Sequence, residues 1–324
     1  MNKVLITGAA GFIGSHLVEQ CLALGLQVTG FVRYNSTGNY PSLQAVVDHP
    51  GFRLHRGDIR DLDSVKAAAH GCDTILHLAA LIGIPYSYES PIAYIRTNIE
   101  GTYNILEAAR AHDCRNVVVT STSETYGTAQ FVPITEEHPA NAQSPYAATK
   151  VAADQLALSY FRSFELPVKI IRPFNTYGPR QSARAIIPTV ISQLLAGHTS
   201  IRLGSTAPTR DLTFVADTVA GFIAVAGSER CQGEVVNLGT QSEITIGDLA
   251  HRIAGRLGVA LTIETDTGRL RPAASEVERL LSDNSKVRRL ADWKPIVDLD
   301  DGLDRTIAWM RSNQQLYSPN RYQT

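Results

Sequence analysis

The sequence has few cysteines, no excess of charge of either sign and no long apolar run. Its four cysteines are widely scattered, at Cys21, Cys72, Cys114 and Cys231. They form no CxxC pair and have no histidines at metal-ligand spacing, so we expect free buried thiols, no disulfide and no metal site. The 30 Lys and Arg residues balance 31 Asp and Glu residues, which argues against a nucleic-acid or anionic-membrane partner.

Nothing in the sequence indicates a membrane or secreted protein. No apolar run approaches the length of a membrane span, and the opening MNKVLITGAAG lacks the regions of a signal peptide. The 324 residues and 44% hydrophobic content are enough to bury a full core. We therefore expect a globular, cytoplasmic protein. None of the nine histidines has a spacing that indicates function, and we expect His77 to be packed within a strand.

Short β-branched apolar runs alternate with segments of helical apolar spacing. The runs are KVLIT, QVTGFV, FRLHR, TILHLA, NVVVTS and VKIIRPF, and helical spacing follows most of them. This alternation predicts an α/β fold with a doubly wound parallel sheet of the Rossmann type. We expect a dinucleotide-binding domain over residues 1–175, with part of about 211–240 returning to its sheet. A smaller substrate-binding lobe should occupy residues 176–324.

The first strand runs into TGAAGFIGSHL, where Gly8, Gly11 and Gly14 precede a helix. Glycines at this spacing let the backbone turn tightly and approach a pyrophosphate, whose charge the helix N-terminus meets. Between a first strand and an amphipathic helix, the motif favours a dinucleotide site over a purely structural turn. Asp58, at the end of the third strand, could accept a hydrogen bond from an adenine amino group or could cap a helix.

The end of the second strand bears on the choice of cofactor. An acidic residue there binds the ribose 2′-OH of NAD, whereas an arginine accommodates the 2′-phosphate of NADP. The strand reads QVTGFVRYNSTG, with Val32 and Arg33 where the acid would stand. Arg33 favours NADP, while a solvated role for Arg33 would leave NAD open.

Two further segments carry side chains suited to catalysis. Tyr146 and Lys150 in SPYAATK lie four residues apart on a predicted helix and so share a face. A lysine ammonium near a phenol lowers the pKa of the phenol from about 10, which lets the tyrosine take a proton from an alcohol. In TSTSETYG, Thr122, Ser123 and Glu124 follow an apolar strand. A strand end crowded with small polar groups is a poor core and a plausible active site.

Eight segments resemble, in family order, the extended short-chain dehydrogenase/reductase family of nucleotide-sugar epimerases, dehydratases and decarboxylases. They are TGAAGFIG, RGDIRD, HLAA, TNIEGTYN, STSETYG, YAATK, RPFNTYGP and TRDLTFVAD. The resemblance implies a tightly bound NAD(P)+ that takes a hydride from C4 of a nucleotide-linked sugar. Tyr146 would take the hydroxyl proton, Lys150 would hold the phenolate, and Thr122 would hydrogen-bond the C4 oxygen. The implied cofactor-binding positions are Gly8, Gly11, Phe12, Ile13, Gly14, Arg33, Asp58, Ile59, Leu78, Ala79, Ala80, Asn98, Tyr146, Lys150 and Pro173.

The residue at the position of Glu124 distinguishes the epimerases of this family from its dehydratases. Simple C4-epimerases lack a catalytic carboxylate here, whereas a 4,6-dehydratase uses one to remove the C5 proton of the 4-keto sugar. Water then leaves from C6 and the hydride returns there, giving a 4-keto-6-deoxy sugar. Deoxyglucose-forming dehydratases carry Thr-Asp-Glu, so Ser123 leaves open which group protonates the departing hydroxyl. GDP-mannose 4,6-dehydratases carry Thr-Ser-Glu and an arginine after the second strand, as this chain does.

Longer segments are most similar to the GlcNAc-type 4,6-dehydratases of legionaminic acid and related nonulosonate pathways. These segments are HLAALIGIPYSYESP, SPYAATKVAADQLALSYFRSF, RPFNTYGPRQSARAIIPT and RLRPAASEVERLLSDNSK. They imply a UDP- or GDP-linked N-acetylglucosamine as substrate. The alternatives on this scaffold are a UDP-glucuronate decarboxylase, which typically has an acidic cofactor residue, and a C4-epimerase. A non-catalytic NAD(P)-binding protein is the alternative of another class.

Five residues are candidates for binding the nucleotide-diphosphate sugar. Asn175 and Arg210 match family positions on the diphosphate, and Arg271 matches a second arginine, although the family's RPGDV is lengthened here to RPAASEV. Two guanidinium groups suit a diphosphate through charge-assisted hydrogen bonds. Ser87 and Tyr88 could line the hexose pocket or form a turn.

The resemblance also implies a homodimer. The helices at 96–112 and 146–165 are similar to those that form a four-helix dimer interface in the family. Their apolar stripes would suit packing on the sheet equally well.

Overall fold

The computed structural model describes residues 1–270 and 272–318. Its strands are β1 (Lys3–Thr7), β2 (Gln27–Arg33), β3 (Phe52–Gly57), β4 (Thr74–His77), β5 (Asn116–Thr120), β6 (Val168–Pro173), β7 (Asn175–Tyr177), β8 (Ser200–Leu203), β9 (Thr209–Phe214), β10 (Val235–Leu238), β11 (Glu243–Thr245) and β12 (Thr262–Thr265). Its α-helices are α1 (Phe12–Ala23), α2 (Leu62–Ala69), α3 (Ile84–Glu89), α4 (Pro91–Tyr94), α5 (Gly101–Ala111), α6 (Pro145–Phe164), α7 (Ile186–Leu195), α8 (Val215–Gly227), α9 (Ile246–Leu257), α10 (Ser285–Ala291) and α11 (Leu299–Ser312). A π-helical stretch, Ile95–Glu100, joins α4 to α5.

A seven-stranded sheet forms the centre, in the order β3-β2-β1-β4-β5-β6-β10. Every neighbouring pair in it is parallel. The predicted doubly wound fold is therefore confirmed. The chain leaves β1 towards β2 on one side and returns to β4 on the other. In such sheets this reversal opens a crevice at the carboxyl ends of the strands, where ligands bind.

The strand order also joins distant parts of the chain. β10 pairs with β6 at the edge of the main sheet, with Val235 opposite Ile170. The segments around it form two smaller sheets, one of β11, β9 and β7 and one of β12 and β8.

Apolar side chains on the two faces of the sheet form two separate core clusters. Val4 and Ile6 of β1 pack into one cluster, together with Leu17 of α1 and Phe222 of α8. Leu5 points the other way, into a cluster that includes residues of α2, α5 and α6. This alternation follows from the period of two in a strand and explains why the central strands are apolar on both faces.

The structure also bears on what the composition excludes. All four cysteines are buried and free. Within residues 1–270 and 272–318, no helix has the length and apolar character needed to cross a membrane. The same residues contain no group of three or more His, Cys, Asp or Glu side chains able to hold a metal ion.

Candidate active site

The glycine motif forms a very tight turn between β1 and α1. Gly8 has a φ of +70°, and a Cβ on Gly14 would stand 2.2 Å from the Gly8 carbonyl oxygen. The Gly11 amide donates to that carbonyl oxygen at 2.8 Å. No side chain caps α1, which begins at Phe12 and Ile13. Uncapped amides at a helix N-terminus, reached through a turn without side chains, fit a pyrophosphate.

The ends of β1 and β4 meet beside this turn. The amides of Leu78 and Ala79 both donate to the Thr7 hydroxyl at 3.1 Å. A Cβ on Gly8 would lie 3.0 Å from the Ala79 nitrogen. Leu78, Ala79 and the following Ala80 are half-buried. The backbone therefore lines the crevice closely at the point where the sheet reverses.

His77 ends β4 and is packed under the crevice. Its ring nitrogens are hydrogen-bonded to the hydroxyls of Thr7 at 2.8 Å and Thr102 at 3.1 Å. Burial lowers the pKa of His77 to about 3, and the nearby Lys150 acts in the same direction. A neutral, satisfied histidine agrees with the packed strand residue expected from the sequence.

Asp58 and Arg33 lie together at the ends of β3 and β2. Both Asp58 carboxylate oxygens accept from the Arg60 guanidinium, at 2.9 and 2.6 Å. These hydrogen bonds with Arg60 lower the pKa of Asp58, and the charge of Arg33 adds to the effect. Arg33 is exposed, whereas Ile59 is buried. An adenine contact by Asp58 stays a prediction, and it would have to compete with Arg60.

Asn98 lies in the π-helical stretch and ties α6 to the loop after β4. Its amide nitrogen donates to the Leu81 carbonyl oxygen and the Thr149 hydroxyl, both at 3.0 Å. Its oxygen accepts from the Leu81 amide at 2.9 Å. Isolated π-helical turns occur often at functional sites. Here the turn places a fully hydrogen-bonded amide beside the crevice.

Tyr146 stands in the first turn of α6, which Ser144 caps by accepting a hydrogen bond from the Ala147 amide at 3.1 Å. Tyr146 is only 7% exposed, and its ring centroid lies 6.3 Å from that of Tyr94. Burial raises the pKa of Tyr146, a hydrogen bond with Thr122 lowers it, and the charge of Glu124 raises it again. Tyr146 therefore needs a nearby cation before it can act as a base.

Lys150 supplies a cation one helical turn later. Its ammonium is buried and donates to the carbonyl oxygen of Thr120, the last residue of β5. Burial lowers the pKa of Lys150 to about 8, and the charge of Asp154 opposes this change. Lys150 thus lies in the protein interior, on the face of α6 that also carries Tyr146.

The turn after β5 carries the remaining candidate catalytic groups. The Thr122 hydroxyl accepts from the Glu124 amide at 3.2 Å and begins a short 3₁₀ turn, Ser123–Tyr126. Ser123 is buried, while Thr122 and Glu124 are half-buried. The turn therefore presents a hydroxyl and a carboxylate near Tyr146, an arrangement suited to removing protons from two adjacent carbons of a sugar.

The predicted substrate-binding residues lie in different environments. The Asn175 amide oxygen is buried and accepts no hydrogen bond from the part of the chain that the structure describes. Arg210 is also buried, and donates to the carbonyl oxygens of Thr209 and Val277 at 2.8 Å. It also pairs with Glu276 at 3.4 Å. Arg271 lies outside the described residues.

Three further predicted residues, Ser87, Tyr88 and Pro173, have defined partners within the protein. The buried Ser87 hydroxyl donates to the Ile84 carbonyl oxygen at 2.6 Å inside α3, which favours a local structural role. The Tyr88 hydroxyl shares a 2.6 Å hydrogen bond with Ser275. Pro173 ends β6 opposite Leu238 of β10.

Sequence reasoning missed three residues around Tyr146 and Lys150. Tyr94 packs on the Tyr146 ring, and Asp154 forms a buried ion pair with Arg172 at 2.9 Å. Asp154 had a sequence signal, since it follows Lys150 by four residues and so shares its helical face. Its partner Arg172 comes from β6 and has no local signal.

The fold and the crevice define a dinucleotide-binding enzyme of the Rossmann class, and comparisons with known proteins identify its family. A family model described as GDP-mannose 4,6 dehydratase matches residues 5–306. A dTDP-glucose 4,6-dehydratase of Streptomyces griseus is 35% identical, over 98% of this chain and 97% of that protein. A UDP-glucose 4-epimerase of Mycolicibacterium smegmatis is 36% identical, over 97% of this chain and 100% of that protein.

A solved structure agrees with these relatives. DesIV, a dTDP-glucose 4,6-dehydratase of Streptomyces venezuelae solved with NAD bound, has a TM-score of 0.89 at 32% identity, covering 98% of this chain and 99% of that one. The chain belongs to the GDP-mannose 4,6-dehydratase family of NAD-dependent nucleotide-sugar epimerases and dehydratases. The family expected from the motifs is confirmed.

Proposed function

We propose that this enzyme is a nucleotide-sugar 4,6-dehydratase. The observation that carries the proposal is the position of Glu124, in the same turn as Thr122 and close enough for its charge to raise the pKa of Tyr146. A C4-epimerase needs one proton-transferring group beside C4. A dehydratase needs a second beside C5, and Glu124 supplies a carboxylate for it.

Each of the two steps has its own residues. Tyr146 takes the proton of the C4 hydroxyl, Lys150 holds positive charge beneath the phenolate, and Thr122 hydrogen-bonds the C4 oxygen. When bound at the glycine turn, NAD(P)+ supplies the uptake and return of a hydride. Once C4 is a ketone, the C5 proton becomes acidic and Glu124 removes it. Loss of the C6 hydroxyl as water then leaves an unsaturated ketone, which a hydride at C6 and a proton at C5 would convert to the 4-keto-6-deoxy sugar. The proton that Tyr146 took from the C4 hydroxyl balances the one that C5 gains.

Glu124 can also protonate the leaving C6 hydroxyl. Ser123 stands where the deoxyglucose-forming dehydratases have an aspartate, and its hydroxyl is too weak an acid for this role at neutral pH. Glu124, protonated once it has taken the C5 proton, lies in the same turn and is able to return one.

We propose UDP- or GDP-linked N-acetylglucosamine as the substrate, on the basis of the long segments similar to the GlcNAc-type dehydratases. Arg210 offers a guanidinium to the diphosphate, and the free Asn175 oxygen can accept a hydrogen bond from a sugar hydroxyl. The relatives described above are named as enzymes of dTDP-glucose and UDP-glucose, so both of these sugars belong in the test.

Arg33 supports NADP as the cofactor. It is exposed at the end of β2, where a ribose 2′-phosphate would lie, and Asp58 is neutralised by Arg60 rather than free to repel a phosphate. DesIV, by contrast, was solved with NAD. Heat release of the cofactor from the purified protein, followed by mass spectrometry, distinguishes the two by the mass of one phosphate.

The decisive experiment offers separate nucleotide sugars without added cofactor and follows them by mass spectrometry. The set is UDP-GlcNAc, GDP-GlcNAc, GDP-mannose, dTDP-glucose, UDP-glucose and UDP-glucuronate. Loss of 18 mass units, the mass of water, from a GlcNAc sugar is the expected result. Loss of carbon dioxide from the glucuronate alone would instead assign a decarboxylase. An isobaric C4 epimer of UDP-glucose would favour the epimerase alternative that the M. smegmatis relative represents.

Two variants test the separate roles proposed for Tyr146 and Glu124. Glu124→Gln keeps the shape of the side chain but not the base, so it should abolish C5 deuterium exchange and dehydration while C4 oxidation, seen as cofactor reduction, continues. Tyr146→Phe should stop both steps, with losses of about 10²–10⁴-fold for the missing acid–base group. Normal dehydration by Glu124→Gln would reject the assigned role of this carboxylate.

We also propose a homodimer and keep the expected cytoplasmic location as a prediction. Exposed apolar side chains lie on or next to the two helices predicted to form the interface. Ile92 and Ile95 come just before the first helix, Tyr103 lies within it, and Phe164 lies near the end of the second. Apolar side chains exposed together support a protein contact. Light scattering on the purified protein should give twice the chain mass of 35.2 kDa.

A further inference from the structure

A buried ion pair lies directly beneath the proposed catalytic residues. Asp154 is 1% exposed and Arg172 is 7% exposed. One Asp154 oxygen, Oδ2, accepts from the Arg172 Nε at 3.1 Å, from the Arg172 Nη2 at 2.9 Å and from the Ser121 hydroxyl at 2.8 Å. The other oxygen, Oδ1, accepts no hydrogen bond from residues 1–270 or 272–318. All three hydrogen bonds therefore fall on one side of the carboxylate.

A second buried carboxylate, that of Asp211, is hydrogen-bonded differently from that of Asp154. Asp211 is completely buried, yet both of its oxygens are used. Thr240 donates to Oδ1 from its amide and hydroxyl, each at 2.7 Å. Gln241 and Ser282 donate to Oδ2. Buried polar groups are normally satisfied in this way, so the bare Oδ1 of Asp154 requires a reason.

The position of Asp154 on α6 supplies that reason. Asp154 follows Lys150 by one helical turn on the same face. The Lys150 ammonium is itself buried, and its only hydrogen bond within the described part of the chain goes to the neutral Thr120 carbonyl oxygen. An anionic oxygen nearby favours the charged form of a buried lysine.

The same ion pair connects α6 to both ends of the turn that carries Thr122 and Glu124. Ser121, at the start of the turn, donates to Asp154. The Arg172 guanidinium lies 4.7 Å from the centre of the Tyr126 ring, at the end of the turn. The ion pair therefore spans the two elements that must be aligned for a proton to pass from substrate to Tyr146.

We propose that Asp154 is a positioning residue that acts through Lys150: with Arg172 it fixes α6 against the 121–126 turn, and its free oxygen keeps the Lys150 ammonium charged. This inference rests on the proposed function for the importance of Lys150, but not for the interaction itself. Other groups that face the site are His77 from β4, which is neutral, and Tyr94 from α4. Glu124 acts on Tyr146 from the turn.

The test measures the titration of Lys150 directly. The chain has only six lysines, so ¹³Cε-lysine NMR of the full chain as purified should resolve them, and Lys150→Arg assigns the signal. Asp154→Asn should lower the Lys150 titration midpoint by about one pH unit, since it removes a negative charge at close range. Asp154→Glu, which restores the charge, should return the midpoint to within about 0.3 unit of the wild type.

Two controls are built into the experiment. Lys169, the other deeply buried lysine, serves as an internal reference whose midpoint should not move in any Asp154 variant. Asp217→Asn removes a different buried carboxylate, one in the first turn of α8 that accepts from the Val297 amide at 2.9 Å. It should leave the Lys150 midpoint unchanged.

An unchanged Lys150 midpoint in folded Asp154→Asn would overturn the proposal. If that variant fails to fold, Asp154→Ser, which removes the same charge with a smaller side chain, replaces it. The Lys150 midpoint should again fall by about one pH unit, and no movement would again reject the idea.

Turnover adds a second readout. In Asp154→Asn, the alkaline limb of the kcat profile should move to lower pH, because Lys150 loses its charge earlier. A merely structural role would lower kcat evenly at all pH values. If the wild type turns over none of the nucleotide sugars, the proposed function fails, while the NMR titration still decides on the Asp154–Lys150 interaction.

Discussion

Two lysines of this enzyme are buried to nearly the same degree but lie at opposite ends of the sheet. Lys150 is 4% exposed and Lys169 is 3% exposed. Each donates to a backbone carbonyl oxygen, that of Thr120 and that of Ala226. Burial lowers the pKa of both to about 8. By these measures alone the two could not be distinguished.

Their neighbours differ completely. Lys150 lies at the carboxyl end of the sheet, with Tyr146 one turn before it and Asp154 one turn after it. Lys169 lies at the amino end and donates at 2.7 Å to Ala226 in the last turn of α8, a carbonyl oxygen that the Asn116 amide also contacts at 2.8 Å. A helix C-terminus attracts a cation for structural reasons alone. A perturbed pKa therefore marks a catalytic lysine only when a reacting group stands beside it.

The largest difference should appear in turnover. Lys150→Met should lower kcat by about 10²–10⁴-fold, because Tyr146 then has no cation to favour its ionised form. Lys169→Met should leave kcat within about twofold, since only a structural contact at the opposite end of the sheet is lost. Steady-state assays on folded variants, checked by circular dichroism, measure both. Equal losses in the two variants would abolish the distinction.

A second difference should appear in stability against pH, measured for Lys169→Met and wild type by urea unfolding between pH 7 and pH 11. A lysine whose pKa is lowered from 10.5 to about 8 in the folded state opposes folding below pH 8. Above about pH 10.5 this destabilising effect is lost, because Lys169 is then neutral in both the folded and the unfolded state. As pH rises through this window, the free energy of unfolding of the wild type should therefore increase by up to about 3 kcal/mol relative to that of the variant. Parallel curves would mean that burial does not lower the pKa of Lys169.

The smallest effect should come from Thr120→Val. The Thr120 hydroxyl is buried and accepts no hydrogen bond within residues 1–270 and 272–318, whereas its backbone carbonyl holds Lys150. Replacing that hydroxyl by a methyl group should change the free energy of unfolding by about 1 kcal/mol or less, and leave kcat within about twofold. A tenfold fall in kcat would show that the hydroxyl, and not the carbonyl alone, serves Lys150.

The fold was predictable because its signals are local. Each strand is a short apolar run. The glycines of the first turn predict a close approach of backbone segments, which the structure shows at Gly8 and Gly14. The four-residue spacing of Tyr146 and Lys150 likewise places both on one face of α6 without any knowledge of the tertiary structure.

Side-chain partners were harder to predict, for two physical reasons. Arg172 reaches Asp154 only because β6 and α6 pack together, and sequence periodicity carries no information on such a pair. Asp58 shows the opposite case, in which Arg60, two residues away, binds a carboxylate for which the sequence left both an adenine contact and a helix cap open. Ser87 similarly bonds within its own helix.

The pairing of β10 with β6 has a consequence for how this enzyme can be divided. β10, which pairs with β6 at the edge of the main sheet, follows β6 by some sixty residues in the chain. A fragment ending near residue 175 would leave unpaired those amides and carbonyl groups of β6 that face β10, an open edge that invites aggregation. Residues 1–175 are therefore not a detachable module, and new segments are better inserted into surface loops than fused at that boundary.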